Sequence, residues 1–320
     1  MSGKQQQRFS AAEIPSLQGL TAIVTGGNGG IGKETVKQLA LHGAKVYMAS
    51  RSLEKGEAAI DEIKKGAGGQ SLDIQFLKVD LDSIKSVQDA AKDFKNRESK
   101  LDILVCNAGL MACPYEKTAD GVEIQFQTNY LGHWTLASEL HDALKAGHQA
   151  RNDGKVSRVV FLSSLAHTII HYTPFAKVNY SSLDGINQGF WPEWTQMGTW
   201  LRYSQAKLAA IHNAREINRR WVDDGIRAAA VHPGMIDSEL WKYTPGKSLL
   251  RKHYLQPVSD GALSPLYAAT SPEIEDEGSW DVYRAEFGHK SWQTPESKDD
   301  KLAKQLWEVS EAIVRQKTVA

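Results

Sequence analysis

The chain has little of several features that would assign it to a specialised class of protein. Two cysteines in 320 residues are too few for a disulfide framework, so a reducing compartment is expected. Basic and acidic residues both number 38, and a net charge of zero does not favour nucleic acid or an anionic membrane as a partner. No apolar run is long enough to span a bilayer, and the polar stretch 1–18 does not resemble a secretion signal. These absences predict a cytoplasmic protein with no nucleic-acid partner and no membrane span.

Apolar strand-like runs alternate along the chain with segments of helical periodicity. This alternation predicts an α/β fold: a doubly wound parallel sheet of the Rossmann type with helices on both faces. No repeat or Pro/Ser-rich linker divides the sequence, so a single domain over residues 1–320 is expected. An aromatic insert at 165–202 and the segment 236–258 break the rhythm, as lids and binding loops do, and a helical extension occupies 299–320. The predicted strands are 20–24, 45–49, 74–79, 103–105, 159–162 and 228–231; the predicted helices are 31–42, 53–65, 84–94, 124–144, 202–221 and 300–314.

Five glycines fall within seven positions after the first predicted strand: Gly26, Gly27, Gly29, Gly30 and Gly32. Strand, glycine turn and helix together bind a nucleotide pyrophosphate, because the glycines allow a tight turn and the helix start directs its free N–H groups at the phosphates. The stretch fits two spacings, Thr25-Gly26-x-x-x-Gly30-Ile31-Gly32 and Gly27-x-Gly29-x-x-Gly32. It predicts a dinucleotide site. A flexible linker is the alternative, which the apolar flanks disfavour.

The first of these spacings resembles the cofactor motif of the short-chain dehydrogenase/reductase family in its classical form. Other motifs of that family follow in order, including Asn107-Ala108-Gly109, although Cys106 stands where a further Asn is common and Ser238 replaces the usual Thr. The tail from Asp260-Gly261-Ala262 to Leu306-Trp307 is similar to the retinol-dehydrogenase-like branch. The resemblance implies a nicotinamide cofactor bound by Thr25, Gly26, Asn28, Gly30, Ile31, Gly32, Asp80, Leu81, Asn107, Ala108, Gly109, Tyr203, Lys207, Pro233, Gly234 and Ser238.

Asn129, Ser164, Tyr203 and Lys207 fall in the order of the family's catalytic tetrad. The spacing Tyr203-x-x-x-Lys207 places both side chains on one helix face. A free phenol has a pKa near ~10, and a nearby cation is expected to lower that pKa, which makes Lys207 the activator of Tyr203 as acid and base. Ser164 would hold the substrate oxygen beside the phenol, with Ser163 as the alternative. The resemblance implies that Asn129 positions water near Lys207.

Two further spacings are interpreted as coincidences. Tyr243 and Lys247 repeat the Tyr-x-x-x-Lys spacing, but Pro245 between them is incompatible with the helix that would bring the pair together. His167 and His171 have a spacing that could hold zinc on a helix, but no third ligand accompanies them. No metal is therefore expected.

The adenosine end of the site is predicted to select NADP(H). An NAD enzyme usually offers Asp or Glu to the ribose hydroxyls about 20 residues beyond the glycines. Here the second strand ends Met48-Ala49-Ser50-Arg51 instead. The missing carboxylate and the guanidinium of Arg51 both favour a 2′-phosphate, although an exposed loop charge is the alternative for Arg51.

The insert between Ser164 and Tyr203 is predicted to form an apolar wall over the substrate, with Trp191 and Trp194 as substrate contacts. The alternative is that its aromatic residues only anchor a long loop to the core. These residues are Tyr172, Phe175, Tyr180, Phe190, Trp191, Trp194 and Trp200.

The predicted function is NADP(H)-dependent hydride transfer between the nicotinamide and a bulky hydrophobic secondary alcohol or ketone, such as a steroid, retinoid, polyketide or terpenoid. Ser164 and Tyr203 would contact the reacting oxygen. A non-catalytic NADP(H)-binding sensor or scaffold is one alternative, and an enzyme whose tetrad serves another outcome, such as epimerisation, is a second. The resemblance also implies a homodimer through helices 124–144 and 202–221, unless the C-terminal tail blocks that face.

Overall fold

A computed structural model describes residues 9–190, 195–244, 254–276, 283–285, 289 and 291–319. Within these residues one parallel sheet of seven strands forms the centre of the molecule. The strands are β1 (Thr21–Thr25), β2 (Lys45–Ser50), β3 (Ile74–Lys78), β4 (Ile103–Cys106), β5 (Ser157–Leu162), β6 (Ile226–Val231) and β7 (Tyr283–Arg284). Their order is β3-β2-β1-β4-β5-β6-β7, so the predicted doubly wound parallel sheet is confirmed.

The central strands β1, β4 and β5 are buried along their whole length. Such continuous apolar strands are typical of a parallel sheet covered on both faces. Side chains alternate between the faces: Ile23 belongs to one core cluster and Val24 to the other. The strand order reverses between β1 and β4. At such a switch point the carboxyl ends of the strands open a crevice in which ligands bind.

Helices pack on both faces of the sheet, and polar side chains fix where several of them begin. The hydroxyl oxygens of Ser52 and Ser83 accept hydrogen bonds from the first turns of α2 and α3 below. The helices are α1 (Gly30–Leu41), α2 (Leu53–Lys65), α3 (Ile84–Arg97), α4 (Gly132–Glu139), α5 (His141–Gln149), α6 (Leu183–Ile186), α7 (Gln196–Arg220), α8 (Val258–Thr270), α9 (Glu273–Asp276) and α10 (Asp300–Val319).

The single helix predicted over 124–144 is wrong in detail. The segment begins with a short helical turn, Ile124–Phe126, and continues as a π-helical turn, Gln127–Leu131, before α4 and α5. Periodicity does not reveal such a widened turn, because it depends on tertiary contacts, and π turns are frequent at functional sites. Here the widened turn carries Asn129.

The insert and the C-terminal extension both meet α7. This helix begins at Gln196, so the end of the insert is helical, and the Thr195 hydroxyl caps it by accepting a hydrogen bond from Gly198 N at 3.1 Å. Helix α10 packs on α7 and α4: the Trp307 ring lies 5.3 Å from the Trp134 ring and 5.6 Å from the Trp221 ring. The C-terminal helix therefore covers part of both helices through which a homodimer was expected.

None of the described helices combines the length and the apolar character that crossing a membrane requires.

Candidate active site

The loop between β1 and α1 disfavours a side chain at four glycines: a Cβ at Gly27 would lie 2.8 Å from Cγ of Met48, and the other three are Gly26, Gly30 and Gly32. Gly26 and Gly30 have φ angles of +65° and +50°, where a side chain is strained. A Cβ at Gly32 would lie 2.3 Å from the carbonyl oxygen of Gly26, so this close approach excludes any side chain. Gly29, which the alternative spacing uses, has open space around it. These requirements favour the spacing Thr25-Gly26-x-x-x-Gly30-Ile31-Gly32.

Thr25, at the end of β1, joins the glycine loop to the end of β4. Its hydroxyl oxygen accepts hydrogen bonds from the backbone N–H groups of Asn107 at 2.9 Å and Ala108 at 3.0 Å. The Asn107 Nδ2 donates to the Thr25 carbonyl oxygen at 2.8 Å. Nε2 of His133 lies 2.8 Å from the same hydroxyl, and burial lowers the pKa of His133 to about 3, so the ring is neutral. The Asn-Ala-Gly motif is thereby fixed beside the loop.

A cleft of about 520 Å³ opens at the carboxyl ends of β1 to β4, at the switch point of the sheet. Gly32 lies behind the loop and is buried. The predicted cofactor residues that line the cleft are Thr25, Gly26, Asn28, Gly30, Ile31, Arg51, Asp80, Leu81, Asn107, Ala108, Gly109 and Ser238.

Arg51 lies just after β2, at the edge of this cleft, and pairs with a carboxylate that the sequence analysis did not identify. Its Nη1 lies 3.3 Å from Oδ2 of Asp82, and its side chain is 65% exposed. The Thr128 hydroxyl donates to Asp82, and burial raises the pKa of Asp82. Asp80 Oδ1 accepts a hydrogen bond from Asp82 N at 3.1 Å. The stretch Asp80-Leu81-Asp82 holds two candidate carboxylates, and only the folded turn shows which one meets Arg51.

Ser164, Tyr203 and Lys207 meet at the carboxyl end of β5. Ser164 lies two residues after β5, and its side chain is close enough to the phenol of Tyr203 to lower the pKa of that phenol. Tyr203 and Lys207 occupy successive turns of α7, with Nζ of Lys207 5.5 Å from the centroid of the Tyr203 ring. Nζ also donates to the carbonyl oxygen of Leu162 at 2.7 Å. Both side chains are buried.

The protonation of this pair differs from the prediction. Burial raises the pKa of Tyr203, although the Ser164 side chain offsets part of that rise. Burial also lowers the pKa of Lys207 to about 7. The expectation that Lys207 lowers the pKa of Tyr203 was wrong for the protein alone, because loss of hydration disfavours the charged form of both groups. At neutral pH the phenol is protonated and can donate.

The Ser163 hydroxyl is bonded to the backbone of α7. It donates to the backbone carbonyl oxygen of Lys207 at 2.7 Å. This bond holds the end of β5 against α7. Of the two serines, Ser164 is therefore the one beside Tyr203.

Asn129 and Lys207 both lie close to Gly109. Its Oδ1 accepts from the N–H of Leu110 at 2.7 Å, and its Nδ2 donates to the carbonyl oxygen of Leu110 at 2.8 Å. A Cβ added to Gly109 would lie 2.6 Å from Oδ1 of Asn129 and 3.6 Å from Nζ of Lys207. The fold therefore brings all four predicted tetrad residues together.

A second space, of about 260 Å³, adjoins the cleft. Its lining includes Ser164, Tyr203 and Lys207, and the predicted residues Pro233, Gly234 and Ser238 also line it. We call this space the apolar cavity. Its apolar lining is Met111, Leu162, Leu165, Ala166, Trp200, Met235, Ile236, Leu240 and Trp241.

The described aromatic residues of the insert do not form the predicted wall, apart from Trp200. Tyr172 and Phe175 are 69% and 72% exposed, whereas Tyr180 is buried in the main core. Phe190 packs in a separate small cluster with Ile170. The predicted contacts Trp191 and Trp194 lie outside the described residues.

Much of the wall comes instead from the segment that follows Gly234, through Met235, Ile236, Leu240 and Trp241. The sequence signal for this segment was its lack of periodicity after His232-Pro233-Gly234. Aromatic content drew the prediction to the insert, but composition does not reveal the direction of a side chain in a segment without periodicity.

The described residues of the two spacings interpreted as coincidences line neither the cleft nor the apolar cavity. Tyr243 is 40% exposed, and Lys247 lies outside the described residues. His171 Nδ1 lies 3.0 Å from Oε1 of Glu296, and His167 Nδ1 bonds a backbone carbonyl. Within the described part of the chain, no group of three or more His, Cys, Asp and Glu side chains could hold a metal ion.

The residues present fit a nicotinamide dinucleotide. The start of α1 lies at the cleft and carries free N–H groups suited to a pyrophosphate, and the close approach at Gly32 keeps that backbone bare of side chains. The cleft and the apolar cavity share Ile31, Asn107, Gly109 and Ser238 among their lining residues. A ligand that extends through the cleft therefore ends beside the tetrad.

Known proteins resemble this chain over most of its length. A family model described as short chain dehydrogenase matches residues 20–182. The chain is 38% identical to the short-chain dehydrogenase/reductase drtF of Aspergillus calidoustus, over 95% of this chain and 96% of that protein. It is 35% identical to retinol dehydrogenase 11 of Mus musculus, over 92% of this chain and 86% of that protein. A crystal structure of a protein from Mycobacterium paratuberculosis matches with a TM-score of 0.71 at 30% identity, covering 97% of this chain and 98% of that one. The chain thus belongs to the short-chain dehydrogenase/reductase family, in its retinol-dehydrogenase-like branch.

Proposed function

We propose that the protein is an NADP(H)-dependent oxidoreductase that transfers hydride between the nicotinamide and a bulky hydrophobic secondary alcohol or ketone. The observation that carries the proposal is the position of the apolar cavity. Its lining includes Ser164 and Tyr203, and it adjoins the cleft of the glycine loop. A carbonyl group can therefore meet a proton donor while its substituents contact apolar side chains.

Tyr203 acts as the acid in reduction and as the base in oxidation. When bound, the nicotinamide supplies or accepts the hydride. The raised pKa of Tyr203 keeps the proton on the phenol at neutral pH, ready for a carbonyl oxygen. Ser164 lines the cavity beside the phenol and would hold the same oxygen. Lys207, with a pKa of about 7, is charged in a large fraction of molecules and stabilises the phenolate that forms when Tyr203 donates.

The residues that would hold the dinucleotide follow from the shape of the cleft. Gly30 and Ile31 present the helix start to the pyrophosphate, and Asp80 lies at the adenine end. Pro233 and Gly234 line the cavity on the nicotinamide side. Asn129, which braces the backbone of residue 110, keeps the loop after β4 in place beside this end.

The preference for NADP(H) is supported by Arg51. Among the described residues that line the cleft it is the only basic one, and the end of β2 offers no carboxylate to the ribose hydroxyls. Asp82 already pairs with Arg51 and reduces its positive field. We therefore expect a clear but moderate preference for the phosphorylated cofactor.

The substrate class is supported by the lining of the cavity. Leu165 and Met235 line it and are also 47% and 41% exposed, so apolar surface continues from the lining to solvent. One relative is named retinol dehydrogenase 11, and retinol is a bulky lipophilic alcohol. A homodimer of this protein is expected to use a face other than the one that α10 covers.

The test is reduction of a panel of ketones by the purified chain, followed through NADPH absorbance. Polycyclic or long-chain ketones should be reduced with a higher kcat/KM than acetone. Trp200→Ala should raise KM for bulky ketones by about tenfold, since one lost ring contact is worth ~1–3 kcal/mol. Phe175→Ala is the matched control, because that ring is exposed and does not line the cavity. An equal loss for both variants, or a preference for acetone, would contradict the proposed substrate class.

A further inference from the structure

A buried ion pair lies one residue away from the proposed proton donor. Arg202 and Glu123 are each 1% exposed, and Nε of Arg202 lies 3.5 Å from Oε1 of Glu123. Buried charges are costly unless they are paired and hydrogen-bonded. Apolar side chains could fill the same volume without the free energy of desolvating two charges. The pair is therefore a candidate for a role other than stabilising the fold.

The guanidinium of Arg202 contacts two separate loops. Nη1 donates to the carbonyl oxygen of Gly189 at 2.8 Å, within the insert. Cζ of the guanidinium also lies over the ring of Tyr115, 5.2 Å from the ring centroid. Tyr115 belongs to the loop after β4. One side chain of α7 therefore connects the insert to the loop that begins at the Asn-Ala-Gly motif.

Glu123 anchors the same two segments from the other side. Its N–H donates to Oδ1 of Asn187 at 2.8 Å, and its Oε2 accepts from the N–H of Phe126 at 2.8 Å. The hydroxyl of Tyr115 donates to the carbonyl oxygen of Asn187 at 2.9 Å, and Asn187 Nδ2 donates to Gly121 O at 2.8 Å. The ion pair is thus the centre of a polar network that joins residues 115–123 to residues 187–189.

Two strained residues lie at the ends of this network. Ala112 and Phe190 have φ angles of +51° and +54°, a region that non-glycine side chains rarely adopt. Ala112 is held by its N–H, which donates to Oε1 of Gln125 at 2.8 Å. Phe190 directly follows the carbonyl that Arg202 binds. Strain of this kind persists only where the surroundings impose it, and it is concentrated at functional sites.

The strained backbone at Ala112 bears on the apolar cavity. Met111 and Ala112 pack against Tyr203, and Met111 lines the cavity. Gln125, which holds Ala112, also donates through Nε2 to the carbonyl oxygen of Thr199 at 3.2 Å, next to the cavity residue Trp200. Movement of this network would therefore displace two walls of the cavity and leave the glycine loop in place.

We propose that Arg202, together with Glu123, is a positioning residue that sets the shape of the substrate cavity and so selects bulky ketones. This inference rests on the proposed function, since the selected ligand is the ketone of that reaction. Neither residue contacts the reacting atoms. They act by fixing the 110–115 loop, which carries the cavity residue Met111, against the 187–190 segment.

The experiment compares Arg202→Met, Glu123→Gln and the double variant with the wild type. Each single variant should lower kcat/KM for a bulky ketone by roughly tenfold, mainly through KM, since a buried polar contact is worth about that factor. Values for acetone and the Kd of NADPH should stay within about threefold, a spread below 1 kcal/mol. Arg202→Lys keeps the charge but cannot bind two partners in a plane, so it should recover only part of the loss.

The double variant separates positioning from stability. Removing both charges relieves the unpaired buried charge that each single variant leaves, so the urea midpoint should recover. The KM for the bulky ketone should not recover, because the contact with Gly189 is still missing. Return of that KM to the wild-type value, or an equal change for acetone and the bulky ketone, would overturn the proposal.

Amide hydrogen exchange gives a reading that does not depend on activity. Arg202→Met should speed exchange in residues 110–115 and 187–190 and leave α1 unchanged. If Arg202→Met does not fold, the same faster exchange is expected in Glu123→Gln, which is measured instead. A wild type that reduces neither ketone would refute the proposed function, while unchanged exchange in these two segments would refute the positioning role.

Discussion

Replacing Ser164 and, separately, Ser163 by alanine separates two adjacent hydroxyls that have different partners in the structure. The Ser164 side chain lines the apolar cavity with Tyr203 and lowers the pKa of its phenol. The Ser163 hydroxyl donates to the carbonyl oxygen of Lys207 at 2.7 Å. Each substitution removes one oxygen atom, so any contrast between the variants reflects position and not chemistry.

The expected magnitudes differ in kind. Ser164→Ala should lower kcat by about 10²-fold, the loss usual when one donor to the reacting oxygen is removed. The pKa of Tyr203 should also rise further, because the Ser164 side chain lowers it. Ser163→Ala should cost about 1 kcal/mol of unfolding free energy, the value of a typical hydrogen bond, with kcat changed by less than about threefold.

The assay combines kcat for a bulky ketone at saturating NADPH with urea unfolding of each variant. The expected result is a large loss of kcat in Ser164→Ala and a lowered urea midpoint with nearly unchanged kcat in Ser163→Ala. Ser164→Ala should also lose some stability, because its hydroxyl oxygen accepts a hydrogen bond from Ala166 N at 3.1 Å. If Ser163→Ala loses turnover and Ser164→Ala keeps it, the assignment of the two serines is refuted.

The remaining predictions concern the cofactor cleft. Arg51→Asp should shift the ratio of kcat/KM for NADPH to kcat/KM for NADH by about 10²-fold toward NADH, since it replaces a charge-assisted bond worth ~1.5–3 kcal/mol by repulsion. Steady-state kinetics with both cofactors measure this ratio. An unchanged ratio would show that Arg51 does not contact the 2′-phosphate. Gly32→Ala should abolish NADPH binding, because its Cβ would lie 2.3 Å from the carbonyl oxygen of Gly26. Gly66→Ala, at the end of α2 and outside the lining of the cleft, should bind NADPH as the wild type in a fluorescence titration, and equal binding by Gly66→Ala and Gly32→Ala would contradict the role of the loop.

Periodicity predicted the parts of the fold that local pattern determines. Helix α2 was predicted with the bounds that it has, because its apolar face and its serine cap are both local. The tetrad could be placed because its spacing and its strand ends are features of the sequence. The π turn at Asn129 could not be predicted, since it forms where that side chain bonds the backbone of Leu110, a partner 19 positions earlier in the chain.

The errors in the predicted site concern the directions in which side chains point and how deeply they are buried. A sequence without its fold gives neither property. Tyr180 and Phe175 look alike in the insert, yet one is buried in the core and the other is exposed. The pairing of Arg51 with Asp82 joins residues from two neighbouring strand ends. The pKa of Tyr203 is raised by burial, and burial is a property of the fold alone.

The role of Tyr203 as proton donor is tested most directly by Tyr203→Phe, assayed for NADPH binding and for ketone reduction in the same preparation. Tyr243→Phe is the control, since Tyr243 is exposed and does not line the cavity. The account predicts that Tyr203→Phe binds NADPH with a nearly unchanged Kd and loses at least ~10²-fold in turnover, the contribution expected of an acid–base group. Turnover above about a tenth of the wild-type rate in Tyr203→Phe, ten times the residual rate that this contribution allows, would contradict it.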